Sequence, residues 1–413
     1  MVKRPFSLQQ RVLLASGLGL IAATYGLVRL AYGLFLPDVQ RDLGLSSDSA
    51  GWISSGASVL YCLGALGGFL LAARLPRFLV LAAALVAGGG ALGMAAAPDT
   101  TVFGSASVIG SAGAGLASPA LVRLVAEQVP DAVQGRAQSI VNAGTGPGLV
   151  GAGVLALVLL PDWRAAWACS GVFAIAVGSV LLSASRAADG HRAGPVPRSG
   201  TPARWFAAHR GALAVALLFG AGSAVVWTYG RSVLVHAGAS VVVSVSAWVA
   251  LGLGGAAVVV TARWTSRLRA RTLWAVTTAA VTLAVLTLGT VPQWTVLALL
   301  SCAVFGWGYT AATGALIAWT TEIDAERSSA GTSMLFVALV LGQAAGAAGA
   351  GAVVTTGGYP ASFVAGSAVT AVSAAAVLFR RRVRAAGGAR SSGCTPPTPR
   401  SRRGERSRCP AGP

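Results

Sequence analysis

Arg29 lies inside an apolar run from Val12 to Leu36, in the stretch TYGLVRLAYGLFLP between Thr24 and Pro37. A guanidinium carries a permanent charge and five donors, so in such surroundings it needs carbonyls, an acid or a ligand as partner. Tyr25, Arg29 and Tyr32 follow i, i+4, i+7 spacing and form one polar and aromatic stripe on a helix. Asp38 stands about 13 Å farther along the same helix by helical rise, too far for an intrahelical pair. Arg29 also lies about 10 Å inside the helix end at Leu36, so snorkelling to the surface would strain it. The chemistry that suits this stripe is attraction of the anionic group of a small organic molecule.

A second cluster, W-T-Y-G-R from Trp227 to Arg231, repeats the tyrosine and arginine types. Trp227, Tyr229 and Arg231 are placed with the first cluster along one expected substrate path, Trp227 and Arg231 sharing a face at i, i+4. Aromatic residues also mark membrane interfaces, and Arg231 reads more readily as an outer-loop residue than as a ligand. Asn142 and Gln343 are amides within apolar stretches, expected to line the same path or to bond neighbouring helices. Pro147, following Gly146, removes a backbone hydrogen bond and is expected to bend its helix as an element that rocks or seals.

Other chemistries are excluded by what the chain lacks. Lys3 is its only lysine, so there is no Walker A site and no ATP-driven step. The twelve carboxylates all fall in expected loops, tail or span ends, and His191 and His209 in the expected central loop. Paired acids, a histidine cluster or an activated nucleophile at one membrane face, which a membrane enzyme would need, are not found. Asp38, Glu127 and His236 are the candidates for carrying a proton. Five cysteines without C-x-x-C spacing indicate neither disulfide nor metal, and no cofactor is implied.

These residues sit in a chain that is 55% hydrophobic and 10% charged, with mean hydropathy +0.71, which describes a membrane protein. Apolar runs long enough to span a bilayer fall roughly at 12–35, 50–73, 78–97, 101–126, 137–160 and 163–184, and again at 211–235, 243–263, 272–291, 294–319, 330–355 and 360–380. The expected fold is all-α, twelve transmembrane helices in two pseudo-symmetric six-helix bundles, with the first span retained as a helix. Of 31 basic residues, 27 fall on the side of the termini, while the opposite loops hold Arg41, Arg164 and Arg231. Without the tail the ratio is 17 to 3, so both termini are expected in the cytoplasm. The net charge of +19 is a topology signal plus a basic tail, with no soluble domain to bind nucleic acid.

Trp52 and Trp248, Gly110 and Gly306, and Pro147 and Gln343 are each 196 residues apart, and Thr24-Tyr25-Gly26 recurs as Thr228-Tyr229-Gly230 at 204. With the six-loop-six division they indicate related halves: residues 1–184 and 211–380, joined by a cytoplasmic linker at 185–210 rich in Arg, Gly and Pro. Residues 381–413 form a basic tail with too few apolar residues to fold.

Two six-helix halves with a basic central loop resemble the major facilitator superfamily. The loop after the second span resembles its G-x-x-x-D-x-x-G-R-[RK] gating pattern in part: Gly68, Arg74 and Arg77 are present, which implies a conformational role for both arginines, although Ala72 and Leu75 stand at the aspartate and second glycine. Around Gly110, Gly113 and Gly115 the fourth span lacks the usual arginine. Asn142 to Gly151 resembles the G-x-x-x-G-P-x-x-G-G motif of exporters, departing at Asn142 and Val150. The stripe around Arg29 and the W-T-Y-G-R segment are similar to the YbfB/YjiJ-type branch.

The expected function is secondary transport of a small organic solute by alternating access, in the export direction and with proton coupling, with an anionic or zwitterionic substrate favoured. The alternatives are a non-transporting sensor on this fold, signalling through its tail, and a drug exporter lacking a midplane acid. The expected setting is a monomer spanning the cell membrane, with a small-molecule substrate and the bilayer as its partners.

Overall fold

A computed structural model of the chain describes residues 6–186 and 203–391. All regular structure among them is helical. Eleven rods are long and apolar enough to cross a bilayer. The last, Ser328–Val377, has 50 residues, about 75 Å by rise, and therefore exceeds one crossing. It turns at Gly358, whose φ of 76° favours a residue without a side chain, and Pro360 follows. The chain thus makes the twelve expected spans.

Two boundaries differ from the sequence reading. The first span does not end near residue 35. Leu8–Ile21 is α-helical, Ala22–Leu30 is π-helical, and Tyr32–Leu43 resumes the α-helix through Pro37. The seventh begins at Ala203 and runs to His236, so residues 203–210 of the expected linker are helix. His209 is therefore no loop residue; it is fully buried, with ring nitrogens 2.9 Å from the Trp205 carbonyl and 2.8 Å from Thr320 Oγ1. The expected linker's residues 187–202 lie outside the described residues, as do 392–413 of the tail, whose residues 381–391 continue the last helix.

Glycine sets the helix packing and reveals the repeat. A Cβ on Gly144 or Gly148 would run into the carbonyls of Leu18 and Ala22, where the fifth span crosses the first. A Cβ on Gly342 or Gly346 would meet the carbonyls of Leu217 and Ala221 in the same way, where the eleventh crosses the seventh. These equivalent contacts lie 198 and 199 residues apart. Gly64 against Ala112 and Gly254 against Ala303 form a second matched set, at 190 and 191. The sequence offsets of 196 and 204 are accordingly off register, because loops of different length shift each helix pair separately. Close backbone approach through small residues is how helices associate where lipid removes the hydrophobic drive. Outward faces stay apolar, with Leu63, Leu66, Phe69 and Leu70 each more than half exposed on the second span.

The halves meet along three seams toward the end away from the termini. Tyr32–Leu43 lies on the seventh span, Ser47–Leu71 on the eleventh, and Thr145–Leu159 on Val241–Ala256. A Cβ on Gly33 would collide with the Trp227 carbonyl, and Gly51 faces Ala347 and Gly351 just as closely. At the end nearer the termini, helices Asp131–Asn142 and Val258–Thr265 pack chiefly within their own halves.

Candidate functional site

The π-helical stretch Ala22–Leu30 is the local feature that builds the site. An i→i+5 turn widens the helix and turns its side chains out of α register, and such turns concentrate at functional positions. Tyr25 Oη lies 2.9 Å from Tyr61 Oη and 2.8 Å from Ser118 Oγ, which ties the first span to the second and fourth. One turn on, the Arg29 guanidinium carbon sits 4.5 Å from the Tyr61 ring centroid, a cation–π contact. Its Nη2 donates to Gln343 Oε1 at 3.1 Å, across to the other half. Gln343 in turn donates from Nε2 to Tyr309 Oη at 2.9 Å. The Arg29 Nε is buried and has no partner.

A narrow cleft of about 30 Å³ lies between the halves at this point, lined by Arg29, Tyr32, Ser54, Ser58, Trp227 and Gln343 among others. Ser54 and Thr228 close one wall through hydroxyls 3.0 Å apart. In the register of the glycine contacts Thr228 is the counterpart of Arg29, so equivalent positions of the two repeats face the same cleft. No carboxylate among the described residues forms an ion pair with Arg29. The continuous helix places Arg29 about 21 Å from the end at Leu43, which leaves no snorkelling route there.

Tyr25, Arg29, Tyr32, Trp227 and Gln343 thus converge, with the Tyr32 hydroxyl committed to the Ala50 carbonyl at 3.0 Å. Three expected path residues do not. Asn142 is exposed and accepts from Gln138 Nε2 at 3.2 Å, so it is not the buried amide expected. Tyr229 and Arg231 lie in the seam instead. Tyr229 donates to the Ser47 carbonyl at 2.5 Å. Arg231 is 1% exposed and is no loop residue: it pairs with Asp38, donates to the Leu34 carbonyl at 2.7 Å and to Ser244 Oγ at 3.2 Å. Asp38, 3% exposed, also accepts from Arg41 at 2.9 Å, so this acid is buried inside the first helix.

The fifth span breaks at Ala143 and Gly144, and Gly146 and Pro147 fall in the first turn after the break, where a missing N–H leaves few bonds unmade. Arg77 donates to the Ser185 carbonyl at 2.6 Å, at the end of the sixth span, a contact within one half; Arg74 is exposed. The partners that sequence reasoning missed are Tyr61, Tyr309, Ser118, Ser54 and Thr228. Tyr61 and Tyr309 are the sole tyrosines of their spans, and that scarcity was the available signal.

The sequence pattern of the Major Facilitator Superfamily matches residues 18–331, most of the chain. The protein belongs to that superfamily. A comparison with curated protein sequences returns no significant match. Among solved structures, the nucleoside transporter NupG aligns with a TM-score of 0.71 at 12% identity, covering 91% of this chain and 100% of that one. A D-xylose-proton symporter aligns at 0.68 and 17%, covering 89% and 96%. A bacterial homologue of the human lysosomal transporter Spinster, inward-facing and unoccupied, aligns at 0.67 and 14%, covering 91% and 96%. At such identities the likeness establishes the fold, and the family with its solved members points to a transporter rather than an enzyme.

Proposed function

We propose that this protein is a secondary active transporter that moves a small organic anion or zwitterion by alternating access, with Arg29 binding the anionic group. The observation that carries this reading is a permanent cation at the junction of the two repeats that lacks a carboxylate partner among the described residues. Arg29 is part-buried on the cleft and rests on the Tyr61 ring and the Gln343 amide, neither of which carries charge, so an anionic ligand would supply the missing counter-charge. Proteoliposomes holding the purified chain should exchange labelled small carboxylates across the membrane and leave labelled amines behind. Exchange of amines alone would end the proposal.

Removing the buried Arg231 from the outer loops leaves 17 basic residues against Arg41 and Arg164, which favours cytoplasmic termini. In that orientation the sealed seam is external and the cleft faces inward. A cysteine placed within 187–202 of a cysteine-free chain should resist an impermeant maleimide in intact cells, whereas one at Ala239 should react. The reverse pattern would invert the topology.

Export is supported by the resemblance around Gly146 and Pro147, and the branch assignment by the Arg29 and Trp227 segments. For proton coupling, Glu127 is paired with Arg123 at 2.8 Å and His236 packs on Tyr359 at 5.2 Å, which leaves Asp38 as the one buried carboxylate among the described residues. A monomer in the cell membrane completes the reading.

A further inference from the structure

The two walls of the cleft differ in chemistry. The N-terminal half supplies the Arg29 cation, the Ser54 and Ser58 hydroxyls and Tyr32, and the C-terminal half supplies the Trp227 ring with the Thr228 hydroxyl and the Gln343 amide. Behind Trp227 lies an aromatic stack: its ring meets Tyr309 edge-on at 5.1 Å and Phe305 at 5.5 Å, and Tyr309 is stacked between Phe305 at 5.9 Å and Phe219 at 5.5 Å. Phe219 and Phe305 are fully buried, so the stack backs the Trp227 ring that lines the cleft. An aliphatic solute would leave the quadrupoles of these rings unmatched, whereas a planar ring can pack edge-on or offset against them.

The Arg29–Gln343 bond crosses between these walls. Gln343 presents an sp² oxygen to the guanidinium, the geometry of one carboxylate oxygen, while its amide nitrogen is anchored on Tyr309. A carboxylate offers the fork two charged acceptors where the amide offers one neutral acceptor, and it also reaches toward the unpartnered Nε, so it outcompetes the amide. We propose that the ligand of this site is a small aromatic carboxylate, whose carboxylate takes the place on Arg29 held by the Gln343 amide oxygen while its ring lies against Trp227. This rests on the anion-transport reading above and names its substrate class.

The test is thermal stabilisation of the purified full chain at pH 7 by benzoate, acetate, benzamide and benzylammonium, which vary ring and charge separately. Benzoate should bind about tenfold or more tightly than acetate or benzamide. Gln343→Glu, which places a carboxylate on Arg29 permanently, should cost at least about tenfold in benzoate affinity. Trp227→Leu should erase the preference for benzoate over acetate. Should Gln343→Glu fail to fold, the Trp227→Leu arm and the four-ligand comparison still decide. Equal binding of acetate and benzoate overturns the aromatic assignment and spares the anion reading. Benzamide or benzylammonium binding as well as benzoate overturns both. Failure of benzoate to stabilise the wild-type protein, or undiminished benzoate binding in Gln343→Glu, overturns the proposal.

Discussion

Asp38→Asn should open the outer seam and lower the melting temperature of the purified protein. Asp38 and Arg231 are 3% and 1% exposed and lie on helices of opposite halves, so each is the other's compensation for leaving water. Breaking one member of a buried pair costs about 3–5 kcal/mol, because the survivor stays buried and uncompensated. The Leu34 carbonyl and Ser244 hydroxyl still hold the Arg231 guanidinium, but neither carries charge. Separation of the halves would give it water. A bias of about 5.5 kcal/mol carries a two-state equilibrium from one side to the other, so losing this pair alone accounts for much of a full switch. A cysteine at Ser54, facing the cleft, should therefore gain reactivity toward an impermeant reagent from outside. The double change Asp38→Leu with Arg231→Met should restore most of the melting temperature, since apolar replacement of a buried pair is often neutral or better. Unchanged melting and unchanged reactivity in Asp38→Asn would mean the pair does not hold the seam.

This pair also marks the limit of what the sequence could say. The spans and the two-half division were readable because hydropathy and loop charge are local properties. Arg231 was read as a loop residue because its partner lies 193 residues away on the other half, and no local rule announces such a pair. The π turn at Ala22–Leu30 was equally hidden: its apolar residues suit an α-helix, and within it Gly26 packs against the backbone of Gly148, far along the chain. The 196-residue repeat failed for a related reason. Single identities in a chain with 54 glycines recur by composition, whereas Gly144 with Leu18 and Gly342 with Leu217 are equivalent contacts. Interface marking, the competing reading of the aromatic residues, does not describe Tyr25, Tyr61, Tyr229 and Tyr309, which bond within the helix bundle.

Arg29→Gln should abolish substrate exchange while the protein still inserts and folds. The side chain holds the halves together only through one bond to Gln343, which a glutamine's amide can partly replace, and a neutral group relieves the cost of the uncompensated cation. Stability should therefore stay near wild type or rise. Binding is different, because the anionic group loses its only charged partner in the cleft; deletion of a charged hydrogen-bond donor costs about 2–5 kcal/mol at a buried site, equivalent to roughly 30- to 4000-fold in affinity. Arg29→Lys separates charge from geometry. An ammonium keeps the cation and could still sit over the Tyr61 ring, but it cannot present two parallel donors to a carboxylate, so it should recover exchange only in part. The contrast excludes a merely structural Arg29, for which Gln and Lys would change melting and exchange together. Normal exchange by Arg29→Gln, or a set of substrates that proves wholly cationic, would remove Arg29 from the binding site and with it the anion assignment.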